Sequence, residues 1–138
     1  MGVTTCMAMF ALVAAMPAMA QSPLTDLRGV WKGDSESIVS GSGNTHHPKS
    51  SQSSRLTSVA FTLTIDKQDG RRFSGKFASA RSTEPIVGVI ARNGALYIAD
   101  TDGYTFGTVL ASDKLKLCYL QIKPDAQIAS CTEMTKQR

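Results

Sequence analysis

The sequence predicts an all-β domain of antiparallel strands, either a sandwich or a barrel. Beyond residue 20, runs rich in β-branched and aromatic residues recur, separated by turn residues about every ten positions. These runs lack the apolar period of a helix. With 138 residues, 42% of them hydrophobic and 19% charged, the chain suits one ordinary domain. Its composition differs from that of disordered chains, disulfide-dense scaffolds and multi-span membrane proteins.

Residues 1–20 differ in composition from the rest of the chain. They contain no charged residue, and their apolar run ends at Ala18-Met19-Ala20, the small-x-small pattern that signal peptidase accepts. The run is shorter than the roughly 20 apolar residues of a bilayer-spanning helix. We therefore predict a cleaved signal peptide over 1–20 and one domain over 21–138, periplasmic or secreted, with no membrane span after cleavage. A retained membrane anchor is the alternative.

Eight strands and one doubtful run follow in order along the chain. The eight strands are Leu27–Gly33, Leu56–Asp66, Arg71–Ala80, Pro85–Arg92, Ala95–Thr101, Tyr104–Ala111, Lys114–Ile122 and Gln127–Met134. The doubtful run, Ser35–Val39, opens a stretch rich in Ser and Gly that has no clear apolar pattern. We predict a long, mobile, solvated loop over about 35–54.

The last two strands carry the clearest register. Lys123-Pro124-Asp125-Ala126 suits a turn with proline at its second position. If Lys123 pairs with Ala126, Cys118 falls opposite Cys131 and Lys116 falls opposite Glu133. Removal of the signal peptide leaves these two cysteines as an even pair in an exported protein. We therefore predict a Cys118–Cys131 disulfide, with two free buried thiols as the alternative.

Turn signals in the middle of the chain assign the strand faces. Asn93-Gly94 and Asp102-Gly103 are two-residue hairpin signals, and a two-residue turn is assumed at Ser112-Asp113. These turns, together with the pattern of the earlier strands, predict an inward aromatic set: Trp31, Phe61, Phe73, Phe77, Tyr97, Phe106 and Tyr119. The opposite face then holds an apolar band: Val87, Val89, Leu96, Ile98 and Val109. An outer apolar band predicts a partner surface, so we expect homo-oligomers.

A family resemblance appears at the first strand. Leu27-Arg28-Gly29-Val30-Trp31, followed by a meander of about eight strands, resembles the calycin superfamily of lipocalins and avidin-like proteins. The resemblance implies an eight-stranded antiparallel up-and-down β-barrel with Trp31 closing its floor. The Leu-x-Gly-x-Trp start is also similar to small exported bacterial barrels that inhibit metalloproteases. The turns at Gln68–Gly70 and Asp100–Tyr104 resemble those of small exported proteobacterial proteins.

The sequence offers no strong signal for catalysis. It has no Gly-x-Ser-x-Gly motif, and its two histidines, His46 and His47, are neighbours that would point opposite ways in an extended loop. We expect no enzyme activity, no cofactor and no metal site. The net charge of +4 comes from scattered basic residues, which excludes a nucleic-acid footprint.

The function predicted from these observations is that of a non-catalytic exported binding barrel. The inward aromatic set would line its interior and hold a small apolar or amphipathic molecule. The alternative is a periplasmic inhibitor or protein-interaction module that contacts an envelope protein through its surface.

Overall fold

The computed structural model describes residues 24–50 and 53–138 as a closed barrel of eight antiparallel strands. The strands are β1 (Gly29–Gly41), β2 (Arg55–Asp69), β3 (Arg72–Ala78), β4 (Thr83–Ile90), β5 (Ala95–Ala99), β6 (Tyr104–Ala111), β7 (Lys114–Lys123) and β8 (Ala126–Lys136). Each strand pairs with the next, and β8 pairs with β1. The predicted all-β up-and-down barrel is confirmed. The predicted signal peptide lies outside the described residues, and within those ranges no helix is long and apolar enough to cross a bilayer.

The two ends of the barrel are built differently. One end, the floor, carries the segment before β1 and short turns, two of which contain Gly70 (φ 57°) and Gly94 (φ 85°). Such left-handed backbone favours glycine because it has no Cβ. The other end, the mouth, carries the long connection from β1 to β2 over 42–54. The mouth is therefore the end with enough chain to fold into the barrel.

Alternate residues of the strands fill the interior, as the two-residue period of a strand requires. The buried core consists of Leu27, Trp31, Leu63, Ile65, Phe73, Ile86, Ile90, Leu96, Ile98, Leu115, Leu117 and Met134. Near the floor, Trp31 is fully buried and its Nε1–H donates to the Leu27 carbonyl at 2.8 Å. The Leu27 N–H in turn donates to Gln68 Oε1 at 2.7 Å. The segment before β1 is thereby tied across the floor beside Trp31.

The predicted disulfide is confirmed. Cys118 on β7 lies opposite Cys131 on β8, and their sulfur atoms are bonded. The same register pairs Lys116 with Glu133, as the turn at Pro124-Asp125 predicts. This hairpin contains no bulge, so the register set at the turn holds along both strands.

Removal of this crosslink is expected to destabilise the barrel. The bond joins residues 13 apart. Closing a loop of that size lowers the conformational entropy of the unfolded chain, which stabilises the folded protein by about 2–3 kcal/mol. The Cys118→Ser/Cys131→Ser double variant should lose that free energy of unfolding, measured by urea denaturation. The oxidised wild type and its fully reduced form are the controls, and the reduced form should match the double variant. Equal stability of all three would contradict the expectation.

The connection between β1 and β2 is shorter than predicted. β1 continues to Gly41, so 35–41 belong to a strand that pairs with both β2 and β8. The inner face of this part of β1 carries two serines before its one aliphatic residue: Ser35, Ser37 and Val39 are buried, whereas Ile38 faces outward. Because the small polar residues Ser35 and Ser37 occupy inner positions, this part of β1 shows no clear apolar alternation. For this reason the sequence indicated a loop here.

Two residues of the predicted inward set lie on the outside of the barrel. Tyr97 is 46% exposed and Phe106 is 45% exposed, while Leu96 and Ile98 are buried in the core. The predicted assignment of the faces of β5 and β6 is therefore wrong. Of the predicted outer band, Val87 and Val89 are exposed as expected, whereas Val109 is half-buried and packs against the core.

Two local irregularities exchange the faces of β5 and β6. The first pair between β4 and β5 is Ile90 with Leu96, one residue out of register from a two-residue turn at Asn93-Gly94. A second shift lies between Val109 and Ala111, where β6 contains a bulge against β7. A shift of one residue moves every side chain of a strand to the opposite face. The first irregularity therefore exchanges the inner and outer faces predicted for β5 and β6, and the bulge in β6 returns β7 to its predicted faces.

Candidate functional site

A small cavity lies inside the barrel beneath the mouth. Its volume is about 40 Å³, enough for a few water molecules but not for a ligand of ordinary size. The residues around it are Asn44, His46, His47, Phe61, Phe77, Asp100, Thr105, Leu117, Tyr119, Ser130, Thr132 and Met134. The lining thus combines aromatic and aliphatic side chains with several polar groups, an arrangement typical of small-molecule sites.

The predicted aromatic set is divided among three places. Phe61, Phe77 and Tyr119 line the cavity. Trp31 and Phe73 are buried in the core but do not line it. Tyr97 and Phe106 are on the outer surface, as described above. The structure also places at the cavity two residues that the sequence assigned to a solvated loop, His46 and His47.

Residues 42–50 fold over the mouth through a turn centred on Asn44. The Asn44 side-chain Oδ1 accepts the backbone N–H groups of His46 (3.0 Å) and His47 (2.7 Å). This side chain replaces the backbone partner that a regular turn would supply. Gly43 precedes it with a φ of 72°, and a Cβ there would lie 2.5 Å from the His47 carbonyl oxygen. The turn directs both imidazoles into the barrel, where His46 is 5% and His47 2% exposed.

The side chain of His46 contacts two parts of the barrel: Ser79, in the turn between β3 and β4, and Glu84 on β4. Its Nδ1 lies 2.8 Å from Ser79 Oγ, and its Nε2 lies 3.3 Å from Glu84 Oε2 without hydrogen-bond geometry. Thr45 Oγ1 donates to the other carboxylate oxygen of Glu84 at 2.6 Å. The ring also meets Phe61 edge to face, with centroids 5.2 Å apart. The His46 imidazole therefore packs against Phe61, a residue of the cavity lining.

His47 is held deeper, beside the buried serines. Its Nε2 lies 3.1 Å from Ser37 Oγ and its Nδ1 lies 3.2 Å from Asn44 Oδ1. The ring is parallel to that of Tyr119, at 6.4 Å between centroids. Burial, followed by the nearby charges of His46 and Arg81, lowers the pKa of His47 to about 4. This imidazole is therefore neutral at pH 7.

A hydrogen-bond network around Gln121 lies next to the cavity. Gln121 Oε1 accepts from Asn44 Nδ2 (3.0 Å) and from the Tyr119 hydroxyl (2.9 Å). Burial raises the pKa of Tyr119, so its hydroxyl stays protonated. Burial likewise raises the pKa of Asp100, at the end of β5. Gln121 Nε2 is buried and has no hydrogen-bond partner, which leaves one donor free.

Ser37, His47 and Asn44 lie in the order of a nucleophile, a base and an orienting group. Ser37 Oγ, however, donates its hydrogen to Ser130 Oγ at 2.7 Å rather than to the imidazole. Ser37 is also buried and absent from the cavity lining, so an incoming carbonyl group would have no path to it. We interpret these bonds as holding the connection in place. Within 24–50 and 53–138, no three His, Cys, Asp or Glu residues are grouped to hold a metal ion.

No protein-family model matches this chain, and no curated protein matches it either. The architecture, an eight-stranded antiparallel closed barrel, is compatible with a calycin-like barrel.

Proposed function

We propose that this chain is an exported, non-catalytic binding barrel of the calycin type that holds a small amphipathic molecule at its mouth. The observation that carries the proposal is the internal cavity, whose aromatic walls are covered by a connection that buries two histidines. Burial of a polar atom costs free energy when no hydrogen bond compensates it, and the buried His46 Nε2 has no hydrogen-bond partner. We infer that the two histidines close a ligand site.

The lining indicates the chemistry of the ligand. Phe61 and Phe77, whose rings meet edge to face with centroids 6.0 Å apart, offer an apolar surface for a hydrocarbon group. Ser130 also lines the cavity and accepts a hydrogen bond from Ser37, so its own hydroxyl hydrogen is available to a hydrogen-bond acceptor. The carboxyl groups of Glu84 and Asp100 lie at the same end of the barrel, which disfavours an anion. A neutral molecule with an apolar body and a carbonyl or ether oxygen fits this arrangement.

The size of the cavity implies that ligand entry moves the mouth connection. Ligand pockets have volumes of about 300–1,000 Å³, whereas the closed cavity has about 40 Å³. The imidazoles of His46 and His47 stand where additional volume would open, against Phe61 and Tyr119. In our proposal the ligand displaces these rings and packs against the same aromatic walls.

Binding of 2-octanone, a neutral probe with an apolar chain and one acceptor, tests the proposal by isothermal titration calorimetry. The wild type should bind it, and Phe61→Ala should bind about tenfold more weakly because part of the apolar wall is removed. Phe106→Ala is the matched control, since it makes the same substitution on the outer surface and should leave affinity unchanged. Octanoate should bind more weakly than 2-octanone at pH 7. Equal affinities of the two Phe variants would contradict a site at the mouth.

The alternative function, an inhibitor or interaction module, leads to different results. Inhibition or partner binding would depend on the outer surface. Phe61 lines the cavity, so Phe61→Ala would leave inhibition or partner binding unchanged. Native mass spectrometry of protein purified from its own host should show a bound small molecule under our proposal. A ligand-free mass, together with recovery of a protease or envelope protein in a pull-down, would favour the alternative.

A further inference from the structure

The carboxyl group of Glu84 is buried at the mouth and takes its polar contacts from the connection above it. The side chain is 10% exposed and lies on the inner side of β4. Its Oε1 accepts a hydrogen bond from Thr45 Oγ1 at 2.6 Å, and its Oε2 lies 3.3 Å from His46 Nε2. Among the described residues, no residue of a barrel strand donates a further hydrogen bond to this group. Its hydrogen bonding therefore depends on the position of residues 42–50.

The other carboxyl group at this end of the barrel, that of Asp100, does not depend on the connection. Its Oδ1 accepts the backbone N–H groups of Asp102 (2.9 Å) and Gly103 (2.7 Å), in the turn between β5 and β6. These bonds do not involve residues 42–50, so they persist when the connection moves. Glu84 is the carboxyl group of the mouth whose hydrogen bonding changes on opening.

The imidazole of His46 separates Glu84 from the cavity. His46 lines the cavity, whereas Glu84 does not, and the ring faces the carboxyl group with its Nε2. This nitrogen is buried and has no hydrogen-bond partner, because its 3.3 Å contact with Glu84 Oε2 lacks hydrogen-bond geometry. A buried nitrogen and a buried oxygen thus face each other without a bond. A donor with better geometry at this place would form the hydrogen bond that His46 does not make.

Displacement of His46 by a ligand, as proposed above, brings the ligand against Glu84 Oε2. Burial of a carboxylate oxygen without a donor is unfavourable, and hydrogen bonds to charged groups are stronger than those between neutral groups. A ligand with an N–H or O–H group at this place avoids that loss, whereas a ligand without one does not. The Ser130 hydroxyl, which lines the same cavity, offers its hydrogen to an acceptor on the ligand.

We infer that the ligand of this site has a neutral head group that both donates and accepts hydrogen bonds, and that Glu84 is the residue that selects it. The inference rests on the proposed function and narrows its ligand class to molecules such as primary carboxamides with an apolar chain. The amide N–H donates to Glu84 Oε2, and the amide oxygen accepts from a hydroxyl group of the lining. A ketone with the same chain lacks the donor and leaves Glu84 unpaired.

Isothermal titration calorimetry with two isosteric probes tests the inference. Heptanamide and 2-octanone share a hexyl chain and a carbonyl group, and differ by an NH₂ group in place of a methyl group. The wild type should bind heptanamide about tenfold more tightly, the ratio for one hydrogen bond to a charged acceptor. Glu84→Gln keeps an oxygen for Thr45 but replaces Oε2 by a donor, so the preference should disappear. Glu133→Gln, the same substitution on the outer face of β8, is the matched control and should keep the preference.

The two probes distinguish failure of this inference from failure of the proposed function. A preference for heptanamide in the wild type and Glu133→Gln that is lost in Glu84→Gln supports the inference. Binding of 2-octanone as tight as that of heptanamide to the wild type overturns the inference and leaves the binding site standing. Absence of binding by both probes overturns the inference together with the proposed function. A preference that survives in Glu84→Gln, with unchanged fluorescence of the buried Trp31 as the folding check, overturns the role of Glu84.

Discussion

Replacement of Trp31 by alanine is expected to reduce the free energy of unfolding by about 3–5 kcal/mol, the range for truncating a large buried aromatic side chain. Trp31 is fully buried near the floor, donates its indole N–H to Leu27, and has the Lys136 ammonium 5.1 Å from its ring centroid. A loss of this size is a large fraction of the stability of an ordinary domain. The measurement is urea denaturation followed by circular dichroism, because the variant has no other tryptophan to report by fluorescence.

Trp31→Phe separates packing from hydrogen bonding at the same position. The phenyl ring keeps most of the buried apolar volume but cannot donate to the Leu27 carbonyl, so we expect a smaller loss of about 1–2 kcal/mol. If Trp31→Ala cost no more than Trp31→Phe, the indole ring would contribute little to closing the floor.

The sequence predicted the last hairpin correctly because its turn and strands are regular. The turn at Pro124-Asp125 has two residues, and neither β7 nor β8 contains a bulge in their pairing. A register counted from such a turn stays valid for the whole hairpin. The disulfide between Cys118 and Cys131 follows from it directly.

The faces of β5 and β6 could not be predicted in the same way. Tyr97 and Phe106 are large and apolar, as are Leu96 and Ile98, so both faces of these strands look suited to a core. Because hydrophobicity does not distinguish the two faces, the sequence assigned them by counting residues through the turn at Asn93-Gly94. The structure has one more residue in this connection than a two-residue turn allows, and this residue reverses the two faces.

The buried histidines were missed for a different reason. The imidazoles of His46 and His47 contact serine hydroxyl groups, and the backbone N–H of His47 donates to the Asn44 side chain. No apolar period accompanies such contacts. A signal was present in β1, where Ser35 and Ser37 follow Trp31 at the two-residue spacing of one strand face. Small polar residues inside a barrel leave space that another polar group must fill. Asn44, two and three residues before the histidines, is the matching turn signal.

Acidification is expected to destabilise the closed mouth through His47. Its pKa in the folded protein is about 4, below the ordinary value of 6.5 because the ring is buried. Between these two pH values the unfolded chain binds a proton that the folded chain does not, so stability falls as the pH falls from 6.5 towards 4. The effect is at most about 3.5 kcal/mol, from 2.5 pH units at about 1.4 kcal/mol for each unit. Above pH 6.5 His47 contributes no pH dependence.

His47→Gln isolates this contribution because glutamine fills the same region without a titrating group. The two proteins carry the same carboxyl groups, so the difference between the two curves of unfolding free energy against pH reports His47. We expect the wild-type curve to fall more steeply between pH 6.5 and 4, and parallel curves would contradict the buried neutral imidazole. Trp31 lies towards the floor, away from His47, so its fluorescence separates two routes. Opening of residues 42–50 alone leaves Trp31 unchanged, whereas unfolding of the barrel exposes it. The first result would mean that protonation frees the mouth, by the same displacement of the imidazoles that we propose for ligand entry.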